Sequence, residues 1–185
     1  MPSDEEMLKC ELLVVRWKRG DQSAFTSIVQ MWERPLFYYL RRLAPSEADV
    51  WDLLQETWLK VFRSLGTLRD PRALPAFLYT TARNTAISRL RNKEFEEEKA
   101  IPSDETLESS TDERVVFDNA EEVHHALDQL PLPQREALTL YYLQDLSLEE
   151  IAALIAVPLG TVKSRLHYGK AALRKILLQG DDDVG

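Results

Sequence analysis

The sequence contains only one cysteine and three histidines, and this scarcity excludes several classes of protein. Cys10 has no second thiol with which to form an internal disulfide, and the histidines do not have the spacing of metal ligands. The six glycines form no phosphate-binding loop, and no nucleophile has an identifiable base. We therefore expect no catalytic residue, no metal, no cofactor and no enzymatic activity.

Long apolar runs are also missing from the sequence. No stretch approaches the roughly 20 apolar residues that span a bilayer, and the amino-terminal MPSDEEMLK is too acidic and too polar for a secretory signal. No segment combines the alternation of a strand with the turn residues of a hairpin. The sequence thus predicts an all-α protein, without membrane insertion and located in the cytoplasm.

Negative charge is concentrated in one segment. The formal net charge is -8, and residues 94–122 hold twelve acidic and two basic side chains. This segment has little apolar area to bury, which favours a flexible linker. We predict two small helical domains, at residues 1–97 and 119–180, which are joined by an acidic flexible linker at 98–118 and followed by a tail at 181–185.

Positive charge is concentrated near the carboxyl end. Residues 151–180 hold five Lys or Arg and no acidic residue. Ser147 and Glu150 form a capping-box pattern at the start of one helix, Pro158 interrupts it, and the apolar spacing resumes from Thr161. A short helix followed by a longer one with a basic outer face is typical of a helix-turn-helix that enters the major groove of DNA. A solvated basic helix in a bundle is the alternative.

Breaks at Gly20, at Pro45 and in GTLRDPRALP divide the first domain into four predicted helices. Their predicted ranges are Asp4–Lys18, Gln22–Leu43, Glu47–Leu65 and Leu74–Glu97. In the third helix the predicted core arc consists of Trp51, Leu54, Trp58, Phe62 and Leu65. Leu53 falls on the opposite arc among carboxylates. Such an exposed leucine can anchor a protein partner, although a lone exposed leucine is also common.

The fourth predicted helix has a polar face that is nearly uncharged. Phe77, Asn84 and Arg91 lie on this face together with threonine and serine hydroxyls. Residues 71–93 include five basic side chains and no acidic one. Such a face can hold unstacked bases and their phosphates, whereas the alternative is a helix side that is merely solvated.

Three segments, in this order, resemble the extracytoplasmic-function (ECF) group of bacterial sigma factors, within the sigma-70 family. DVWDLLQETWLKVF at residues 49–62 is similar to the family's helix that binds core RNA polymerase, and AFLYTTARNTAISRLRNK at 76–93 is similar to its minus-10 recognition helix. Residues 127–175 are similar to its carboxyl-terminal domain, which binds the minus-35 element. The resemblance covers about 130 of the 185 residues.

The resemblance implies a factor that binds core RNA polymerase and promoter DNA and directs promoter-specific initiation. It implies that the polymerase is bound by Asp52, Leu53, Gln55 and Glu56. It implies that the minus-10 non-template strand is captured by Arg69, Arg72, Phe77, Asn84 and Arg91. It implies that minus-35 base edges are faced by Leu159, Thr161, Lys163, Ser164 and His167, with Arg165, Lys170 and Arg174 nearer phosphates. An anti-sigma factor is a further partner implied by the resemblance.

The sequence departs from the family pattern at four positions. Ala156 stands where the family usually has glycine in the turn, and Ser88 where it usually has aspartate. Tyr168 and Gly169 stand where the family usually has arginine and alanine. The missing arginine removes one implied phosphate contact, and Gly169 falls in the predicted buried arc, where it would permit close helix packing.

Two other functions remain open on the sequence. A transcriptional regulator would use the helix-turn-helix without core polymerase, and a sequestration or scaffold protein would bind polymerase without initiating transcription. The acidic linker also has alternatives. It could repel DNA in the free protein, thread through a basic channel of the polymerase, or serve only as a solubilising tether.

Overall fold

All the regular secondary structure in the described part of the chain is helical, which confirms the predicted fold class. The structure is a computed structural model that describes residues 4–44, 46–97 and 120–182, and these contain no strand. The α-helices are α1 (Asp4–Lys18), α2 (Ser23–Arg41), α3 (Glu47–Ser64), α4 (Leu74–Glu97), α5 (Ala120–Asp128), α6 (Leu132–Leu138), α7 (Leu148–Ile155) and α8 (Leu159–Asp182). The predicted acidic linker at 98–118 lies outside the described residues.

Local signals set the helix boundaries in the first half of the chain. Ser46 caps α3, because its hydroxyl accepts a hydrogen bond from the Asp49 N–H at 3.3 Å. Gly20 follows α1 at φ 92°, a conformation that glycine adopts without strain. Asp70 accepts a hydrogen bond from the Arg72 N–H at 3.0 Å in the 3-10 turn that leads into α4. The predicted bounds of α1 to α4 agree with the observed ones to within two residues.

Helices α1 to α4 form a first block around one core. Its buried members include Leu13, Val14, Ile28, Leu36, Leu40, Val61 and Leu78. Trp17, Phe25 and Phe62 connect α1, α2 and α3 through ring contacts with centroids 5.1–5.3 Å apart. These tilted and edge-on arrangements are the ones that aromatic pairs prefer.

Helices α5 to α8 form a second block, which also contains the π-helical segment Thr139–Leu143. Leu127, Leu130 and Leu138 form its small core under α8. Gly169 lets α8 approach α6 closely, since a Cβ there would lie 3.1 Å from Leu138 Cδ1. The predicted burial of Gly169 is thus confirmed, and its reason is close helix packing.

The two blocks pack against each other in the described structure. Helix α4 contacts α7. Side chains of the second block join the buried cluster of the first block, among them Leu140, Ile151, Leu154, Ile155 and Val162. The sequence offered no prediction of this arrangement, because it places side chains nearly a hundred residues apart in contact.

Candidate nucleic-acid and polymerase interfaces

The helix-turn-helix consists of α7, a tight turn and α8. Ser147 Oγ accepts from the Glu150 N–H at 3.2 Å, and the Glu150 carboxylate accepts from the Ser147 N–H at 2.8 Å. This capping box confirms the predicted start of the first helix. Helix α8 begins at Leu159, earlier than the predicted Thr161, because the Pro158 carbonyl already accepts from the Thr161 N–H at 2.9 Å.

Ala156 ends α7 in the left-handed region, at φ 55° and ψ 48°. The turn therefore keeps a conformation that favours glycine although the residue is alanine, and this strain costs on the order of 1 kcal/mol.

We expect Ala156→Gly to raise the free energy of unfolding by about 0.5–1 kcal/mol, because it removes the left-handed strain. Ala153→Gly is the matched control: Ala153 is exposed inside α7, and the change should lower the free energy of unfolding by about 1 kcal/mol. Urea unfolding followed by circular dichroism compares the two variants. Destabilisation by both would contradict a strained turn.

The outer face of α8 is exposed and basic, as predicted. Its exposed members are Lys163, Ser164, His167, Lys170 and Arg174. Three further predicted DNA contacts are only partly exposed, namely Leu159, Thr161 and Arg165. Tyr168 lies beside this face with 64% exposure, its ring edge-on to that of His167. The face can approach a duplex, and the DNA roles of its individual residues remain predictions.

The polar face of α4 lies at the surface of the first block. Asn84, Ser88 and Arg91 are exposed along it. Phe77 is partly buried and packs against the core, so only part of its side chain is available to a ligand. Thr81 donates its hydroxyl to the Phe77 carbonyl at 2.7 Å and is thereby fixed on the same face.

The loop before α4 presents two arginines. Arg69 is exposed. Arg72 donates from Nε and Nη2 to the two carboxylate oxygens of Asp70, each at 3.1 Å. The hydrogen bonds from Arg72 lower the pKa of Asp70, so the carboxylate stays ionised beside the guanidinium. The predicted phosphate contact of Arg72 therefore competes with an internal ion pair.

The predicted exposure of Leu53 is wrong. Leu53 is 2% exposed and belongs to the core of the first block. The buried arc of α3 is Val50, Leu53, Leu54, Thr57 and Val61. Trp51 and Phe62, both predicted as core, are each 48% exposed, and Leu59 is 57% exposed. Leu54 and Leu65 of the predicted core arc are buried as predicted. The centre of the buried side is therefore rotated around α3 away from the aromatic residues, toward Leu53 and Thr57.

Thr57 explains why the periodicity was misleading. A threonine at the centre of the arc reads as polar, yet Thr57 is fully buried and its hydroxyl donates to the Leu53 carbonyl at 2.7 Å. Because this bond satisfies the hydroxyl, the core can include it. The spacing of Val50, Leu53, Leu54 and Val61 is the signal that would have located the buried side.

Opposite charges pair around the exposed side of α3. Arg89 of α4 donates to Asp52 at 2.9 Å and lies 3.5 Å from Asp49, and its hydrogen bond to Asp52 raises the pKa of Arg89. Glu56 pairs with Lys60 at 2.7 Å. Of the polar residues predicted to bind polymerase, Gln55 is exposed and Asp52 and Glu56 are held in these ion pairs.

Neither a metal site nor a membrane-spanning helix is found in the ranges 4–44, 46–97 and 120–182. In those ranges no three His, Cys, Asp or Glu side chains come together as a metal site would require. No helix there has both the length and the apolar character needed to cross a membrane.

Comparison with known families identifies both blocks. Residues 28–96 match the family described as Sigma-70 region 2, and residues 120–173 match Sigma-70, region 4. The first range covers α3 and α4 with most of α2, and the second covers the helix-turn-helix. Because region 2 is followed by region 4 in one chain, the protein is of the sigma-70 class.

Curated relatives narrow this class. The ECF RNA polymerase sigma-E factors of Salmonella typhimurium (strain LT2) and Escherichia coli (strain K12) are each 32% identical to this chain, over 91% of it and 94% of each relative. The RNA polymerase sigma-H factor of Pseudomonas aeruginosa is 32% identical over 89% of this chain and 92% of its own. The chain belongs to the ECF group of the sigma-70 family. Members of this family are RNA polymerase sigma factors, which are non-enzymatic transcription initiation factors.

Solved structures share the fold. The sigma factor RpoE, in complex with the anti-sigma factor NepR from Bartonella quintana, is 23% identical and superposes with a TM-score of 0.68 over 83% of this chain and 96% of that one. CnrH, in complex with the cytosolic domain of CnrY, is 23% identical, with a TM-score of 0.66 over 94% and 99%.

Proposed function

We propose that this sigma factor binds core RNA polymerase through α3, captures the minus-10 non-template strand on α4, and reads the minus-35 duplex with α8. Two faces are exposed on separate blocks of the chain: the Asn84 face of α4 and the basic outer face of α8. Their exposure is the observation that supports the proposal. One face suits unstacked bases and the other suits a duplex.

The polymerase-binding surface on α3 differs from the sequence prediction in its apolar part. Asp52, Gln55 and Glu56 remain its polar residues. Trp51, Leu59 and Phe62 supply exposed apolar area along the same side of the helix. Aromatic anchors surrounded by polar residues are typical of binding hot spots. Leu53 would support this surface from the core rather than touch the polymerase.

The strand-capturing surface combines three chemical features. The amide of Asn84 can hydrogen-bond a base edge, the exposed part of the Phe77 ring can stack on a flipped base, and Arg91 can meet a phosphate. Arg69 and Arg72 would add positive charge from the preceding loop. Capture of flipped bases offsets their unstacking, which costs a few kcal/mol.

The duplex-reading surface is the outer face of α8. Lys163, Ser164 and His167 would face base edges, with Leu159 and Thr161 at the helix start and Arg165 at its side. Lys170 and Arg174, one turn apart and exposed, would meet phosphates.

We also propose an anti-sigma partner and a cytoplasmic location. The support is that two proteins of the same fold were solved in complexes, the sigma factor RpoE with the anti-sigma factor NepR and CnrH with the cytosolic domain of CnrY. Competition between such a protein and core polymerase would test the partnership.

Transcription in vitro tests the proposed function. Core polymerase with this chain should initiate from specific sites in a genomic promoter library, and the chain without polymerase should make no transcript. Asn84→Ala should lower binding of the holoenzyme to minus-10 non-template oligonucleotides by about 5–30-fold, the value of one or two hydrogen bonds. Gln30→Ala, an exposed amide on α2, is the matched control and should have no effect.

Two results would contradict this proposal. Absence of specific initiation across the library would remove the function in promoter recognition. Equal strand binding by the Asn84→Ala and Gln30→Ala holoenzymes would remove Asn84 from the strand-capturing surface.

A further inference from the structure

Helix α1 is apolar on two opposite sides. Its inner side lies in the core of the first block, where Cys10, Leu13 and Val14 are at most 4% exposed. Its outer side carries Leu8 at 67% exposure and Leu12 at 57%. A surface helix normally has one apolar side, which faces the core, whereas exposed apolar patches mark interaction sites. The outer side of α1 is therefore a candidate surface for a partner.

The exposed apolar residues of α1 form a continuous stripe. Leu8, Leu12 and Val15, which is partly exposed, are spaced by four and three residues, and we define them as the outer stripe. At about 100° per residue they fall within an arc of about 60°, opposite the buried Leu13. A single exposed leucine is common on protein surfaces. A stripe with this spacing is instead typical of a helix that packs against another helix.

We propose that α1 pairs in antiparallel orientation with α1 of a second copy of this chain, with the two outer stripes in contact. Such a two-fold interface is isologous, so the surface of each copy must be complementary to itself. The pairing is independent of the proposed function, because none of the surfaces proposed to bind polymerase or DNA includes α1.

The two ends of the outer stripe carry opposite charges. Glu5 lies at the amino-terminal end and Arg19 at the carboxyl-terminal end, and both side chains are exposed. Arg19 continues the last turn of α1, because its N–H donates to the Val15 carbonyl at 3.2 Å. At about 100° per residue, both positions fall on or next to the arc of the stripe. An antiparallel pair brings each acidic end to a basic end, whereas a parallel pair would oppose like charges.

The positions of these residues define one register for the pair. With a two-fold axis at Leu12, the two copies of Leu12 meet. Leu8 then lies opposite Val15 of the second copy, since the two positions are four and three residues from the axis. Glu5 lies opposite Arg19 of the second copy, because each stands seven residues from Leu12, about 10 Å along the helix. One register therefore satisfies the apolar and the charged contacts together.

Two further cations, Lys9 and Arg16, border the outer stripe and are exposed. Arg16 is already paired with Asp21 at 2.7 Å. Lys9 follows Glu5 by four positions, the spacing at which a lysine meets a glutamate of its own helix. Both cations would lie at the rim of the interface, where charges stay in water and contribute little to affinity.

The proposed interface is small. Helix α1 has 15 residues, and contact along one side of it would bury less than the roughly 1,200 Å² at which specific, stable interfaces begin. Interfaces of standard size range from micromolar to picomolar affinity, so we expect a reversible dimer with a dissociation constant on the order of 10–100 μM. The leucines supply the attraction, and the terminal charges set the orientation.

Sedimentation equilibrium of the full chain measures this pairing without polymerase or DNA. The unchanged chain should be monomeric at about 1 μM and mostly dimeric at about 500 μM. Leu12→Ala should raise the dissociation constant at least about ten-fold, because it removes both leucines at the two-fold axis. Leu178→Ala is the matched control: it removes the same atoms from a leucine of α8 that is 55% exposed, and it should have no effect.

Exchange of the terminal charges tests the antiparallel orientation. Glu5→Arg or Arg19→Glu alone opposes like charges at both ends of the pair and should weaken it by about 3–10-fold at low salt. An equimolar mixture of these two variants, and the chain that carries both changes, should pair like the unchanged protein. Glu33→Arg makes the same charge change at an exposed position of α2 and should have no effect. Circular dichroism verifies that each variant keeps its helices.

Three results would overturn the proposal. They are a monomer at every concentration, equal self-association of the Leu12→Ala and Leu178→Ala proteins, and charge variants that pair no better in the mixture than alone. A monomeric chain in which Leu12→Ala lowers affinity for core polymerase would assign the outer stripe to polymerase instead. Transcription by the unchanged chain is a separate measurement, so failure of the proposed function would leave the pairing standing.

Discussion

Leu53→Ala is expected to lower the free energy of unfolding by about 2–5 kcal/mol, because it removes a fully buried side chain and leaves a cavity. Leu53 is 2% exposed and packs in the core formed by α1 to α4. Its burial makes this an effect on stability first, and any loss of polymerase binding would follow from it. Urea unfolding of the full chain, followed by circular dichroism, measures the change.

Leu59→Ala provides the matched control for this experiment. Leu59 lies on the same helix and loses the same atoms, but it is 57% exposed, so its free energy of unfolding should change by no more than about 0.5 kcal/mol. Gln55→Ala should likewise leave stability unchanged and is the better probe of the polymerase-binding surface. Similar stability of the Leu53→Ala and Leu59→Ala variants would contradict the burial of Leu53.

The contrast between α3 and the other helices shows which information the sequence contains. Helix ends could be predicted from local chemistry alone, because the signals that set them act within three or four positions. Examples are Ser46, Gly20 and the capping box at Ser147. The buried side of a helix depends on what packs against it. On α3 the large aromatic residues Trp51 and Phe62 determined the predicted core side. Thr57 was counted as polar, although its hydroxyl donates to the Leu53 carbonyl and the residue lies at the centre of the buried side.

The surface of α8 was more predictable, because its charged residues recur on one face of the helix and its apolar residues recur on the opposite face. Contacts between the blocks were not predictable in this way. Tyr39 and Glu136 are 97 positions apart, and nothing periodic relates them. A weak signal existed nevertheless: Arg42, the residue directly after α2, follows Tyr39 by three positions and continues the buried phase of that helix, where a charge requires a partner.

The basic face of α8 offers the second prediction with a large effect. Lys170→Ala combined with Arg174→Ala removes two exposed charges one helical turn apart. Each phosphate contact contributes about 0.9 to the slope of log K against log salt, so the double variant should flatten that slope by about 1.8. At 0.1 M salt the same relation gives a loss of roughly 60-fold in affinity. Because phosphate contacts carry no sequence information, any duplex of about 20 base pairs serves as the probe.

His167→Ala should change sequence preference and leave overall affinity unchanged, because its ring is proposed to face base edges. The affinity of this variant for a duplex of arbitrary sequence and its salt slope should stay close to those of the unchanged chain. Selection from a random duplex pool should yield a different preferred sequence, with about 1–3 kcal/mol of discrimination lost at one position.

Arg19→Ala is the control for the loss of charge in the double variant, because Arg19 is an exposed cation after α1 and lies outside the face of α8. If Arg19→Ala, which removes one charge, flattened the slope by half as much as Lys170→Ala/Arg174→Ala, which removes two, net charge rather than the face of α8 would govern binding. A shift in sequence preference caused by Lys170→Ala/Arg174→Ala would instead assign those side chains to base edges.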